Sequence, residues 1–72
     1  MDKDKLKNLS LDLLNNGKNK LLEKDYNNAI NLFTEALKLD NSNLDAKFYR
    51  SLSYLDSGLV KEAIQELQEL LV

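Results

Sequence analysis

The stretch Asp40-Asn41-Ser42-Asn43-Leu44-Asp45 sets side-chain oxygens at alternating positions, the arrangement with which a loop can wrap a calcium ion. Such a loop needs Gly at its sixth position for a sharp turn and Glu at its twelfth for bidentate closure. The chain offers Asp45 and Ser51 there, so the stretch reads as a polar turn and no metal is expected. Glu66 and Glu69 share a helical face, but paired carboxylates do acid–base work only where burial or a cleft drives their pKa values apart. Nothing in the surrounding residues suggests either, and the pair reads as a solvated face. Asn8-Leu9-Ser10 matches a glycosylation acceptor, yet no secretory hydrophobic stretch follows Met1. Asn16-Gly17 would turn a hairpin only between alternating strands, and none flank it. Cys and His are both absent. That removes disulfides, thiol nucleophiles, imidazole acid–base chemistry and every Cys/His zinc site. The expectation is a protein that is not an enzyme and carries no cofactor.

Charge narrows the partners. Ten Lys and Arg stand against 12 Asp and Glu, for a net −2. No basic stripe is available to displace counterions from phosphates, so nucleic acid is not an expected partner. Lys3, Lys5 and Lys7 cluster, but Asp2 and Asp4 interleave with them, and residues 1–5 read as a frayed, solvated tail. The longest apolar runs are Leu13-Leu14, Leu21-Leu22 and Leu70-Leu71-Val72. These fall far short of the ~20 residues that span a bilayer, so no membrane partner is expected and a cytoplasmic location is the default.

The elements that must present the remaining residues are helices. With no Pro, two Gly and abundant Leu, Lys, Glu and Ala, the chain favours helix throughout. Frequent Asn favours it less, so packing has to stabilise these helices. Three polar breaks, Glu23-Lys24-Asp25, Leu39-Asp40-Asn41-Ser42-Asn43 and Asp56-Ser57-Gly58, leave four amphipathic segments: 4–23, 27–39, 44–56 and 61–72. Apolar residues recur at three- and four-residue spacing, as in Ala29, Ile30, Phe33, Ala36 and Leu37, and again in Ala63, Ile64, Leu67, Leu70 and Leu71. Asp25 and Asn43 can cap the second and third segments through their side chains, and Gly58 can supply a left-handed exit from the third. Short breaks between helices make neighbours antiparallel.

Laid over itself so that Leu21 falls on Leu55, the sequence also aligns Tyr26 with Val60, Ala29 with Ala63, Ile30 with Ile64, Phe33 with Leu67 and Leu37 with Leu71. A period of about 34 residues is shared by few repeat types. Asp25-Tyr26-Asn27-Asn28-Ala29-Ile30, Phe33, Ala36-Leu37 and Leu39-Asp40 resemble the second helix of a tetratricopeptide repeat. Phe48-Tyr49-Arg50-Ser51-Leu52-Ser53-Tyr54-Leu55, Gly58 and Glu62-Ala63-Ile64 resemble the first helix and turn of the next. The resemblance runs from about Leu11 to Val72. It implies an all-α fold of four antiparallel helices, forming two helix-turn-helix hairpins in a short right-handed superhelical array. The domain is read as 1–72, with repeat one at about 11–43 and repeat two at 44–72. Asn41 stands where the family often has Pro, which predicts a less rigid turn. In the strict repeat register Asn16 and Lys20 point inward. Shortening the turn near Lys24 by one position instead points Leu14, Gly17 and Leu21 inward, and that register is preferred.

The family resemblance also implies a concave groove lined by the first helix of each repeat, and binding of peptides or folded partners there. In repeat two the groove residues would be Asp45, Phe48, Tyr49, Leu52, Leu55 and Asp56. The preferred register adds Asp12, Asn15, Asn19 and Leu22 from repeat one. Phe48, Leu52 and Leu55 form an apolar stripe, which could equally extend the core beneath the first helix. Family members that grip chaperone C-terminal carboxylates use a Lys and an Asn on the first helix and an Asn on the third. Asn15 and Tyr49 replace the Lys and the second Asn here, so that mode is not expected. The expected function is a protein-interaction module that binds a peptide or helical segment of a partner. The alternative is a self-associating assembly unit, either a homodimer or a fragment of a longer array, packing through the stripe of Phe48, Leu52 and Leu55 or through Ile64, Leu67 and Leu71.

Overall fold

A computed structural model describes residues 2–71. Four helices follow one another: α1 (Lys3–Leu22), α2 (Tyr26–Leu39), α3 (Leu44–Asp56) and α4 (Val60–Leu71). The expected segments match these to within one position at each described end. Met1 of the expected tail and Val72 of the fourth segment lie outside the described residues. Consecutive helices pack on one another, and α1 also touches α3, as expected for two stacked all-α hairpins. Residues 3–5, read from composition as frayed, are the first turn of α1, where Asp2 accepts a hydrogen bond from the Asp4 N–H at 3.2 Å.

Both hairpins turn the same way. At the end of α3 the Leu59 N–H donates to Tyr54 O at 2.8 Å and the Gly58 N–H to Leu55 O at 3.1 Å, with Gly58 at φ 91°. At the end of α1 the Asp25 N–H donates to Lys20 O at 2.9 Å and the Lys24 N–H to Leu21 O at 3.0 Å, with Lys24 at φ 62°. These are Schellman closures, which satisfy the last carbonyls of each helix. Lys24 and Gly58 stand in the same relation as Leu21 and Leu55, one repeat apart. The strict register therefore runs through the turn, and the shortened-turn register is overturned. Leu14 and Gly17 are nevertheless buried, and Leu21 packs on the core. Asn16 is exposed because no described helix lies against that side of α1.

The expected side-chain cap by Asp25 does not form. Its carboxylate instead accepts from the Asn28 side-chain amide at 2.8 Å. Asn43 does cap α3, its Oδ1 accepting from the Ala46 N–H at 3.1 Å. Between α2 and α3, in the turn that lacks Pro, Asp40 Oδ1 accepts from the Ser42 N–H at 3.1 Å and the Ser42 hydroxyl at 2.6 Å. Those bonds favour the charged carboxylate and hold its pKa below the usual 3.8.

The core is Leu14, Ala29, Phe33, Ala36 and Ala46, with Phe33 the largest fully buried side chain. Alanines let the helices approach, and one aromatic ring fills the space between them. A Cβ at Gly17 would lie 2.5 Å from Phe33 Cε1 and 2.8 Å from Cδ1. Two polar devices tie the helices together, and two further buried hydroxyls are satisfied locally. Ser10 Oγ donates to Ala36 O at 2.8 Å and accepts from Asn43 Nδ2 at 2.9 Å, joining α1 and α2 to the start of α3. Ser51 and Ser53 are buried but donate to Lys47 O and Tyr49 O within their own helix. Arg50 makes a bidentate pair with the buried Glu66, Nη2 to Oε2 at 2.8 Å, and donates from Nη1 to Thr34 Oγ1 at 3.0 Å. The Glu66 hydrogen bonds raise the Arg50 pKa above its ordinary value.

Two substitutions probe these contacts. Lys24→Gly removes a Cβ from a left-handed residue and should stabilise by about 1 kcal/mol. For a domain of this size that raises Tm by roughly 4–8 °C in a melting curve. Gly17→Ala should gain about 1 kcal/mol of helix propensity but lose more to overpacking, which costs typically about 1–3 kcal/mol. Because Phe33 is fully enclosed and cannot swing away, Tm should fall.

Candidate interaction surface

The surface is built from how α1 and α3 are set side by side. A helix turns about 100° per residue, so contacts made by a few residues orient the rest. In α3, Ser51 is buried and Thr34 of α2 meets Arg50. Ala46, Ser53 and Tyr49 face the preceding hairpin; Ala46 is in the core, and the Tyr49 ring stacks on Phe33 at 6.1 Å between centroids. One face of α3 is left between these contacts, bearing Asp45, Leu52 and Asp56. Counting back one repeat gives Leu11, Lys18 and Leu22 on α1. The two sets adjoin: Lys18 Nζ lies 4.8 Å from the centroid of the Tyr49 ring. At one end of the face a depression of about 350 Å³ opens where Lys7 and Leu11 meet the α2–α3 turn at Asp40, Ser42 and Asn43 and the start of α3 at Leu44 and Asp45.

An aromatic ladder connects this face to the core. Phe33 is fully buried, Tyr49 is half-buried against it, and Phe48, 44% exposed, meets Tyr49 edge-on at 5.4 Å. Tyr49 is therefore fixed against Phe33, with the Lys18 ammonium over its ring. Leu22, at 82% exposed, and Leu11, at 47%, supply open apolar area on the α1 side. Charges are mixed, with Lys7 and Lys18 on α1 and Asp45 and Asp56 on α3.

The residues singled out from the sequence fall into three groups. Leu22, Asp45, Leu52 and Asp56 lie on this face, and Tyr49, turned toward the preceding hairpin, borders it. Asn15, Asn19 and Asp12 are exposed on the outer side of α1, at the positions that Tyr49, Ser53 and Ala46 occupy on α3. Phe48 and Leu55 are equivalent to Leu14 and Leu21, and border the face at its far edge. Leu11 and Lys18 were missed because the one-position shift assigned their places to Asp12 and Asn19; the strict register identifies both. Among the described residues, no group of three or more His, Cys, Asp and Glu could hold a metal ion. Nor is any described helix long and apolar enough to cross a membrane.

A family model described as Tetratricopeptide repeat matches residues 20–71. No curated protein and no solved structure matches the chain.

Proposed function

Because the chain belongs to the tetratricopeptide repeat family, a family of protein-interaction and scaffold modules, we propose that it binds an extended or helical segment of a partner protein along the face between α1 and α3. The observation that carries this reading is the Tyr49 ring, held between buried Phe33 and Phe48 with Lys18 beside it. A ring already locked in place loses little entropy on binding, which is what distinguishes an anchoring residue from mere apolar area. Leu11, Leu22 and Leu52 supply apolar area along the same face. Burying a leucine fully is worth roughly 1.5–3 kcal/mol before the costs of association. Asp45 and Lys18, of opposite sign, would orient the segment, while Phe48 and Leu55 border its path. Asn15 and Asn19 would meet only a partner that wraps the outer side of α1. The interleaved charge suits a polypeptide ligand better than a phosphate backbone.

Peptides selected from a displayed random library against the chain provide the test. The double variant Leu22→Asp with Leu52→Asp should weaken the best of them by tenfold or more in a fluorescence titration. Asn15→Ala with Asn19→Ala should change affinity by less than about twofold, or about 0.4 kcal/mol, against about 1.4 kcal/mol for a tenfold loss. Both variants leave Tyr49 and the core intact, and circular dichroism verifies the fold. Equal affinity for the wild type and the leucine variant would exclude this face.

A further inference from the structure

Charge along the α1–α3 face follows an order. Asp45 stands in the first turn of α3 and Asp56 in its last, while Lys18 of α1 lies between those ends, over the Tyr49 ring. The ion pairs among the described residues join Lys20 to Glu23, Lys47 to Glu69 and Arg50 to Glu66. Lys18, Asp45 and Asp56 take part in none of them. Each end of α3 also borders a depression. The one at Asp45, of about 350 Å³, includes Asp40 and Lys7, and the one at Asp56, of about 450 Å³, includes Asp25 and Lys24. One lysine against two carboxylates leaves each end net negative. Asp56 is also at odds with its own helix. The C-terminal end of a helix carries the negative pole of its dipole, where a carboxylate destabilises, and the last turn of α3 has no Lys or Arg to offset it. Residues that break a local rule without an internal partner belong to functional surfaces more often than to the fold.

We propose that the segment bound along this face carries two basic side chains, one for each end of α3, with an acidic residue between them for Lys18, and that Asp56 is the residue that selects it. The proposal rests on the reading of the α1–α3 face as the binding surface. Asp45 and Asp56 are 11 positions apart on one helix, which at about 1.5 Å per residue separates them by about 16 Å. An extended polypeptide covers that distance in about five residues, at about 3.3 Å each. A helical one needs about 11. Leu11, Leu22 and Leu52 receive the apolar side chains in between. A run of acidic residues is repelled at both ends, and a uniformly basic run meets Lys18 in the middle. Charges arranged in this way act on the choice of partner more than on raw affinity.

Peptides selected on the chain from the displayed library should carry Lys or Arg at two positions about five apart, or about 11 apart in helical ones, with Asp or Glu between them. Asp56→Lys favours the helix end and should fold. It should weaken the best peptide tenfold or more in a fluorescence titration, and exchanging the matching basic residue of the peptide for Glu should restore most of the loss. Asp56→Asn should raise Tm by a few degrees while lowering affinity several-fold; a residue serving the fold alone would not divide the two readouts. Peptides that depend on Leu22 and Leu52 yet ignore Asp56→Lys would overturn the charge assignment and leave the binding face standing. Peptides indifferent to Leu22→Asp with Leu52→Asp as well would overturn the face itself.

Discussion

Phe33 lying against the bare backbone of Gly17 is the contact on which the other features rest. It lets α1 and α2 approach more closely than any side chain at position 17 would allow, since a Cβ there would sit 2.5 Å from the ring. The buried ring then offers a platform on which Tyr49 stacks, and that stacking seats α3 beside α1. Lys18 and Phe48 arrange themselves around Tyr49 in turn. A core packing decision thus reaches the surface in two steps, and the residues that would meet a partner are positioned by one glycine that meets none.

Polar groups fix what the apolar core leaves free to slide. Leucine and alanine surfaces pack in several registers, whereas a buried hydroxyl or guanidinium is satisfied in one. Ser10, bonded to Ala36 O and to Asn43, pins α1, α2 and the start of α3. Arg50, shared between Glu66 and Thr34, pins α3 to α4 and α2. Such a pair adds little net stability, because desolvation offsets most of the attraction; breaking one side of it is what costs, typically about 3–5 kcal/mol. In a chain of 72 residues, whose core is small, a unique arrangement of helices matters as much as their total burial.

How far the sequence announced all this depends on the residue. Ala29 and Ala63 could be read as helix-crossing positions because their type repeats at the family period, and Asn43 and Gly58 because caps and left-handed exits demand specific chemistry. The placing of α1 was not legible. Its twin α3 lies between the α1–α2 hairpin and α4 and buries small residues on two sides, Ser51 on one and Ala46 and Ser53 on the other. Among the described residues, helix α1 has neighbours on one side only, so its inward pattern of Ser10, Leu14 and Gly17 looks like a shifted register when it is a different environment. Lys24 deepened the error, since a lysine in a left-handed turn gives no compositional sign of the position that Gly58 makes obvious. Leu11 and Lys18 were hidden, and Asn15 and Asn19 promoted, by that single misplacement.

Repeat two holds Ser51 and Leu67 where repeat one holds Gly17 and Phe33, and this exchange provides the most direct measurement. Stability of Gly17→Ser, Phe33→Leu and the double variant should be compared as a cycle by chemical denaturation. If the small residue exists to admit the ring and the strict register holds, the serine should cost much less once Phe33 is leucine. The expected coupling is about 1 kcal/mol or more, within the range found for residues in direct contact. Additivity within about 0.5 kcal/mol would mean that Gly17 and Phe33 do not depend on each other, and the account built on their contact would fail.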